Sequence, residues 1–202
     1  MAELKDNREL NEWAARYASA SRGNIAKRNE LISFRRKSAG FFSGLRLKKK
    51  YELDRDEIVE WLQKCPTVYF TDYTGSYDDT ADLIADGNPL QRLSPFLLDI
   101  AKGTALTMSA FDQDFKYMDP AVKSELASCV HPDTHVPMDM FTTDALRAMD
   151  LEVPDSDFFG YRRFIDTCKE IREVLLENGV FANDLGSVHE FLLYVFSEKD
   201  RD

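Results

Sequence analysis

The stretch DSDFFGYRRFIDTCKEIREVLLENG, residues 155–179, decides the fold class. Its apolar residues recur every three or four positions, as one face of an α-helix requires: Tyr161, Phe164, Cys168, Ile171 and Leu175. Polar residues before the first apolar position favour a helix start after Ser156, and Asn178-Gly179 favours its end. The stretch therefore predicts one long amphipathic helix with a buried face.

The same spacing extends through most of the chain. It predicts helices in the first ~35 residues, around 54–64, 81–87 and 93–101, from Asp119-Pro120 to Val130, from Thr142 or Thr143, and after Ser187, where Glu190 completes a capping box. Residues 67–77 differ because they are rich in aromatic and β-branched side chains, and we expect an aromatic-rich loop or a short strand there. We therefore predict an all-α fold, an irregular bundle of about seven to nine helices.

The size and composition of the chain favour one helical domain. A chain of 202 residues with 44% hydrophobic residues can bury a sizeable core. We expect a single domain over 1–202, in which an N-terminal helical arm, 1–50, joins an acidic helical body, 51–202. No stretch approaches the roughly 20 apolar residues that cross a bilayer, so we expect a cytoplasmic protein without a membrane partner. The three cysteines are far apart, which favours reduced thiols over disulfides.

Charge is divided unevenly along the chain. Residues 22–50 hold ten basic residues and one acid, a formal charge of +9. Since the whole chain carries −10, the remainder carries −19. Such asymmetry is typical of a phosphate-binding arm on an acidic body. It is equally typical of a basic segment that packs against an acidic body and is neutralised there.

Cations, aromatic rings and glycines alternate in residues 33–50, SFRRKSAGFFSGLRLKKK. Arginine and lysine suit phosphates, exposed phenylalanine rings can stack on unpaired bases, and glycines let the backbone approach a ligand. The candidate nucleic-acid-binding residues are Arg35, Arg36, Lys37, Phe41, Phe42, Arg46, Lys48, Lys49 and Lys50. In the alternative interpretation, the phenylalanines belong to the core and the lysines form a solvated face.

Residues 129–139, CVHPDTHVPMD, concentrate side chains that can bind metals or act in catalysis. His131 and His135 are four positions apart, a spacing that aligns two ligands only on a helix, and Pro132 and Pro137 disfavour a helix there. We interpret the stretch as a stiff turn after a helix, and we predict no metal, no cofactor and no catalytic residue. The motifs GxSxG, GxxxxGK[ST], GxGxxG and HExxH are absent from the sequence. These observations favour a non-enzymatic role and leave an enzymatic one open.

Several short runs follow one another in a recognisable order after Val122. They are 122–138, then DALRAM at 144–149, YRRFI at 161–165, and the helix from Leu185 to Phe196. The central pattern is a ring, a proline and an acid, which are His131-Pro132-Asp133 here. A second proline and an aliphatic residue follow as Pro137-Met138, preceded by His135 or Val136. Roughly the last 80 residues thereby resemble a helical module of some prokaryotic restriction and phage-defence proteins.

The same likeness has one departure, since Met149-Asp150 stands where the module has leucine-glycine at a helix end. The resemblance implies recognition or scaffolding near nucleic acid. Because the motor and nuclease motifs that accompany the module are absent, it implies no catalytic residue for this chain.

These features support three functional hypotheses. The first is a non-enzymatic helical protein that acts with nucleic acid or a nucleic-acid enzyme in a setting such as prokaryotic defence, with a protein partner beside the nucleic acid. The second is an acidic protein-binding module or inhibitor that engages a basic partner surface. The third is a metal-dependent hydrolase that uses the histidines of 129–139.

Overall fold

The computed structural model describes residues 4–21, 52–63, 77–102 and 111–199, with the side chains of 21 and 77–79 left aside. Over these ranges the secondary structure is helical, and the only β-type pairing is an isolated bridge between Phe115 and Met118. The all-α prediction is confirmed. The loop or strand predicted for 67–77 lies outside the described residues, apart from Tyr77, which begins a helix.

Eight α-helices and one short 3-10 helix occupy the described part of the chain. The 3-10 helix Leu4–Asp6 is followed by α1 (Arg8–Ser21), α2 (Arg55–Gln63), α3 (Tyr77–Gly87), α4 (Leu90–Ala101), α5 (Pro120–Val130), α6 (Met140–Ala148), α7 (Phe158–Glu177) and α8 (Leu185–Glu198). None of these helices is long and apolar enough to cross a membrane. The number of helices agrees with the sequence prediction.

The chain divides into two compact units. The terminal unit comprises Met1–Ser33 and Pro132–Asp202, and the central unit comprises Phe34–His131. The predicted organisation of 1–202 as one domain, with an arm over 1–50 and a body over 51–202, stays a prediction because most of the arm lies outside the described residues.

Helix α7 forms the centre of the terminal unit. It packs against the 3-10 helix, α1 and α8, while α8 also packs against α6. The predicted stripe is buried throughout: Tyr161, Phe164, Cys168, Ile171 and Leu175. Burial of a large apolar side chain stabilises the fold by about 1.5–3 kcal/mol, so this stripe is a principal source of the unit's stability.

Helix α5 is the core helix of the central unit. Eight of its eleven residues are buried, so it has no solvent-facing side of its own. It packs against α4, and α2 packs against α3. The predicted start is confirmed, because the Asp119 carboxylate accepts a hydrogen bond from Val122 N at 2.9 Å and Pro120 opens the helix.

The starts of α6 and α8 differ from the sequence prediction. Helix α6 begins at Met140, because Asp139 is its N-cap and Thr142 occupies the third helical position of a reciprocal capping box. Helix α8 is capped by Asp184, whose carboxylate accepts hydrogen bonds from Ser187 N and Ser187 Oγ. The predicted capping box of Ser187 with Glu190 is therefore wrong. In both cases an aspartate earlier in the chain outcompetes the hydroxyl residue as cap.

Candidate functional site

The predicted nucleic-acid-binding residues lie outside the described residues. This holds for all nine of them, Arg35, Arg36, Lys37, Phe41, Phe42, Arg46, Lys48, Lys49 and Lys50. Their role therefore stays a prediction.

Most basic side chains in the described residues pair with acidic side chains. They include 14 basic and 31 acidic residues, a formal charge of −17. Eight of the fourteen cations form ion pairs with acidic side chains of their own unit: Lys5, Arg8, Arg55, Arg147, Arg163, Lys169, Arg172 and Lys199. Residues 22–50 are thus the one long segment of the chain in which basic residues outnumber acidic residues.

Arg55 is the most strongly engaged of these cations. Its guanidinium donates to Asp86 at 2.6 and 2.9 Å and to Asp82 at 2.6 Å, which joins α2 to α3. Hydrogen bonds from Arg55 hold the pKa of the Asp86 carboxyl below its usual range. An arginine whose donors are already taken by two carboxylates is a poor phosphate ligand.

The connector formed by residues 129–139 is not helical beyond Val130, as its prolines predict. On the central-unit side, the His131 ring nitrogen Nε2 lies 2.8 Å from the carbonyl oxygen of Ile100, at the end of α4. The His131 amide also donates to Ala127 O at 2.8 Å. This histidine ties the ends of two helices of the central unit together.

On the terminal-unit side, the connector is held by His135. Its Nδ1 lies 2.9 Å from the hydroxyl oxygen of Tyr161, and the two rings are nearly parallel, 4° apart in orientation with centroids 6.1 Å apart. The Tyr161 hydroxyl also lies 3.4 Å from Val136 O. Pro132 O accepts a hydrogen bond from Gly186 N at 2.7 Å, so the connector is also fixed to the start of α8.

The chemistry of the Tyr161 pair favours a structural role. Burial, and secondly the neighbouring Cys168, hold the pKa of the Tyr161 hydroxyl well above its usual range. A nucleophile or general base needs the opposite shift, toward the working pH. Burial likewise raises the pKa of the Cys168 thiol, which makes it an inert core group.

Each histidine of the connector is thus engaged within its own unit. Within the ranges that the structure describes, no group of three His, Cys, Asp or Glu side chains is placed to hold a metal ion. The two cysteines in these ranges, Cys129 and Cys168, are free thiols.

Lys123 is a buried cation that the sequence analysis missed. It is 5% exposed, and its Nζ donates to Phe111 O at 2.7 Å and to Gln113 O at 2.5 Å. Burial lowers the pKa of its ammonium, while Asp114, Asp112 and Asp119 oppose that shift. A lowered lysine pKa is one mark of a nucleophilic amine, yet this amine is occupied by two backbone carbonyls. Lys123 therefore stabilises the turn that precedes α5.

The sequence carried little signal for these contacts. Lys123 lies between apolar positions of α5, but a charged residue beside an apolar stripe is ordinarily solvated. The pairing of His135 with Tyr161 joins residues 26 positions apart, which no local pattern shows.

Comparison of the chain with protein-family models, with curated proteins and with solved structures finds no match.

Proposed function

We propose that this is a non-enzymatic helical protein that acts with nucleic acid or with a nucleic-acid enzyme, and that residues 22–50 contact the phosphates. The observation that carries the proposal is the distribution of charge. The described residues carry −17 and pair most of their cations internally, whereas 22–50 carries +9. A basic segment attached to an acidic body is the strongest attractor of phosphates on the chain.

The resemblance to the defence-associated helical module supports the same proposal. Met149 is fully buried at the end of α6, and Asp150 follows it with φ of 55°, in the left-handed region that favours glycine. A buried apolar residue followed by a left-handed residue is also what a leucine-glycine helix end requires. On this ground we include a role in prokaryotic defence in the proposal.

A salt titration of binding to single-stranded and double-stranded DNA and RNA tests the proposal. We expect binding at about 50 mM salt that weakens steeply by about 200 mM, because each phosphate contact releases a counterion. The triple reversal Lys48→Glu, Lys49→Glu and Lys50→Glu should abolish it.

A matched control changes the charge of the chain by the same amount at exposed positions of the described helices and turns. The variant Lys102→Glu, Lys116→Glu and Lys169→Glu serves this purpose, because all three residues are exposed. Loss of binding only in the 48–50 variant supports the proposal. Absence of binding at low salt, or equal loss in the two variants, contradicts the assignment of phosphate contacts to 22–50.

The charge of −17 on the described residues favours a second candidate, an acidic module that engages a basic protein surface. Such a module predicts a stoichiometric protein partner whose binding competes with DNA for the partner. Affinity purification followed by competition with duplex DNA distinguishes this candidate from the first. A partner that binds DNA and this protein at the same time contradicts it.

A further inference from the structure

The first turn of α7 displays a large aromatic ring to solvent. Phe159 is 58% exposed, although its neighbours in the helix supply the core of the terminal unit. Its ring contacts Phe158 in a T-shaped arrangement, with centroids 5.6 Å apart. A single exposed apolar side chain is ordinary on a protein surface, so this ring points to a ligand only together with the residues around it.

The backbone around Phe159 is held firmly. The Asp157 carboxylate accepts a hydrogen bond from Gly160 N at 2.6 Å. A Cβ atom on Gly160 would lie 1.8 Å from Asp155 O, so the chain before α7 lies directly against its first turn. The ring is therefore presented on a rigid base, which reduces the entropy lost when a ligand binds.

Two arginines share the face of Phe159. Arg162 and Arg163 follow it by three and four positions, the spacing of helix neighbours, and both are exposed. Helical side chains lean toward the N-terminus, and Arg163 does so, since its guanidinium reaches Asp155 at 3.5 Å. The Arg163 guanidinium is thus directed toward the turn that carries the aromatic ring, and Arg162 precedes it on the same exposed side of the helix.

The acids nearby leave these arginines available. Asp157 is committed to the helix cap, and Asp166 pairs with Lys169 at 2.7 Å. Asp155 holds Arg163 only through an exposed, long ion pair, which contributes about 0–1 kcal/mol and can yield to a phosphate. No acidic side chain in the described ranges pairs with Arg162.

We propose that Phe159, Arg162 and Arg163 form a second contact site for single-stranded nucleic acid, in which an unpaired base stacks on Phe159 and the adjoining phosphates bind the two arginines. This inference rests on the proposed nucleic-acid function and adds to it a site within the described residues. A planar aromatic ring accepts any unpaired base, and arginine forks match phosphate oxygens. A duplex offers no unpaired base, so the site discriminates in favour of single strands.

Substitution of Phe159 tests the stacking directly. With an oligothymidine of about 15 nucleotides as probe, we expect Phe159→Ala to weaken binding at least fivefold, while affinity for a duplex of equal length is unchanged. The matched control is Phe181→Ala, since Phe181 is 66% exposed in the same unit and is not followed by arginines at helical spacing. Arg162→Gln should weaken single-strand binding as well, whereas Lys169→Gln should not.

A fluorescence measurement gives an independent result. The native tryptophans in the described ranges, Trp13 and Trp61, are buried. We therefore expect the exposed indole in Phe159→Trp to be quenched when oligothymidine is added, and the indole in Phe181→Trp to be unaffected.

The outcomes separate the two proposals. In one outcome the wild type binds and the reversal of Lys48, Lys49 and Lys50 abolishes binding, which supports the proposed function. If, in the same experiments, Phe159→Ala binds as the wild type does and Phe159→Trp is not quenched, the stacking site is wrong and the proposed function stands. Equal weakening of single-strand and duplex binding by Phe159→Ala also overturns the stacking site. If the wild type binds neither probe at about 50 mM salt, both proposals fail.

Discussion

Asp150 and Gly179 occupy the same position in two helix ends of the terminal unit. Each lies in the left-handed region, with φ of 55° for Asp150 and 75° for Gly179. Both ends show the same pair of backbone hydrogen bonds, which are Asp150 N to Arg147 O, Leu151 N to Leu146 O, Gly179 N to Leu176 O and Val180 N to Leu175 O. This is the Schellman arrangement, in which glycine is preferred because it has no Cβ.

Replacement of Asp150 by glycine should raise the free energy of unfolding by up to about 1 kcal/mol, because the left-handed backbone is costly for a residue with a side chain. The reciprocal change, Gly179→Asp, should lower it by a similar amount. Nothing lies within 4 Å of a Cβ at Gly179, so its cost comes from the backbone alone. Urea unfolding measures both. A less stable Asp150→Gly variant would show that the aspartate side chain contributes more than the backbone conformation costs.

Gly160 is needed for a different reason. A Cβ at this position would lie 1.8 Å from Asp155 O, so Gly160→Ala forces the backbone before α7 away from the helix and weakens the Asp157 cap. We expect a loss of about 2–4 kcal/mol in urea unfolding. The control is Gly179→Ala, with an expected loss of about 1 kcal/mol. If Gly160→Ala and Gly179→Ala lowered the free energy of unfolding equally, the close approach of Asp155 O to Gly160 would be contradicted.

The sequence predicted the helical content because buried helix faces leave a periodic trace. The stripe from Tyr161 to Leu175 in α7 is one example. The start of α5 was predicted from Asp119-Pro120, because the hydrogen bond that caps this helix is local in sequence. Helix starts were harder where two capping residues compete within a few positions, as with Asp184 and Ser187. The contacts of His135 and Lys123 were not predictable, since both depend on which distant carbonyl or hydroxyl the fold brings near.

The contact between His135 and Tyr161 should appear as a coupling energy. Tyr161→Phe removes the hydroxyl that lies 2.9 Å from His135 Nδ1, and His135→Ala removes its partner. In a double-mutant cycle by urea unfolding we expect a coupling of about 0.5–1.5 kcal/mol. Tyr161→Phe combined with Lys169→Ala, at an exposed position of the same helix, should be additive. Additivity in the His135 cycle too would mean that the pair contributes nothing in solution.

Two buried acids of α7 predict that stability falls at alkaline pH. Burial raises the pKa of the Cys168 thiol and of the Tyr161 hydroxyl in the folded chain. Above the ordinary values, about 8.5 for a thiol and about 10 for a phenol, the unfolded chain releases protons that the folded chain keeps, so the free energy of unfolding falls as pH rises.

The thiol part of this effect can be isolated by the difference between variants. Between about pH 8.5 and 10 the wild type should lose up to about 1.4 kcal/mol per pH unit through Cys168. Cys168→Ala should start from a lower stability at pH 7, because it leaves a cavity, and should lose less than the wild type over this range. Lys123 changes the free energy of unfolding in the opposite sense, because burial lowers the pKa of its ammonium. Since the wild type and Cys168→Ala both contain Lys123, its contribution cancels when their slopes are compared. Val174→Ala, which leaves a cavity in the same helix but removes no ionisable group, is the control and should keep the wild-type slope. A Cys168→Ala slope equal to that of the wild type would place the alkaline loss elsewhere.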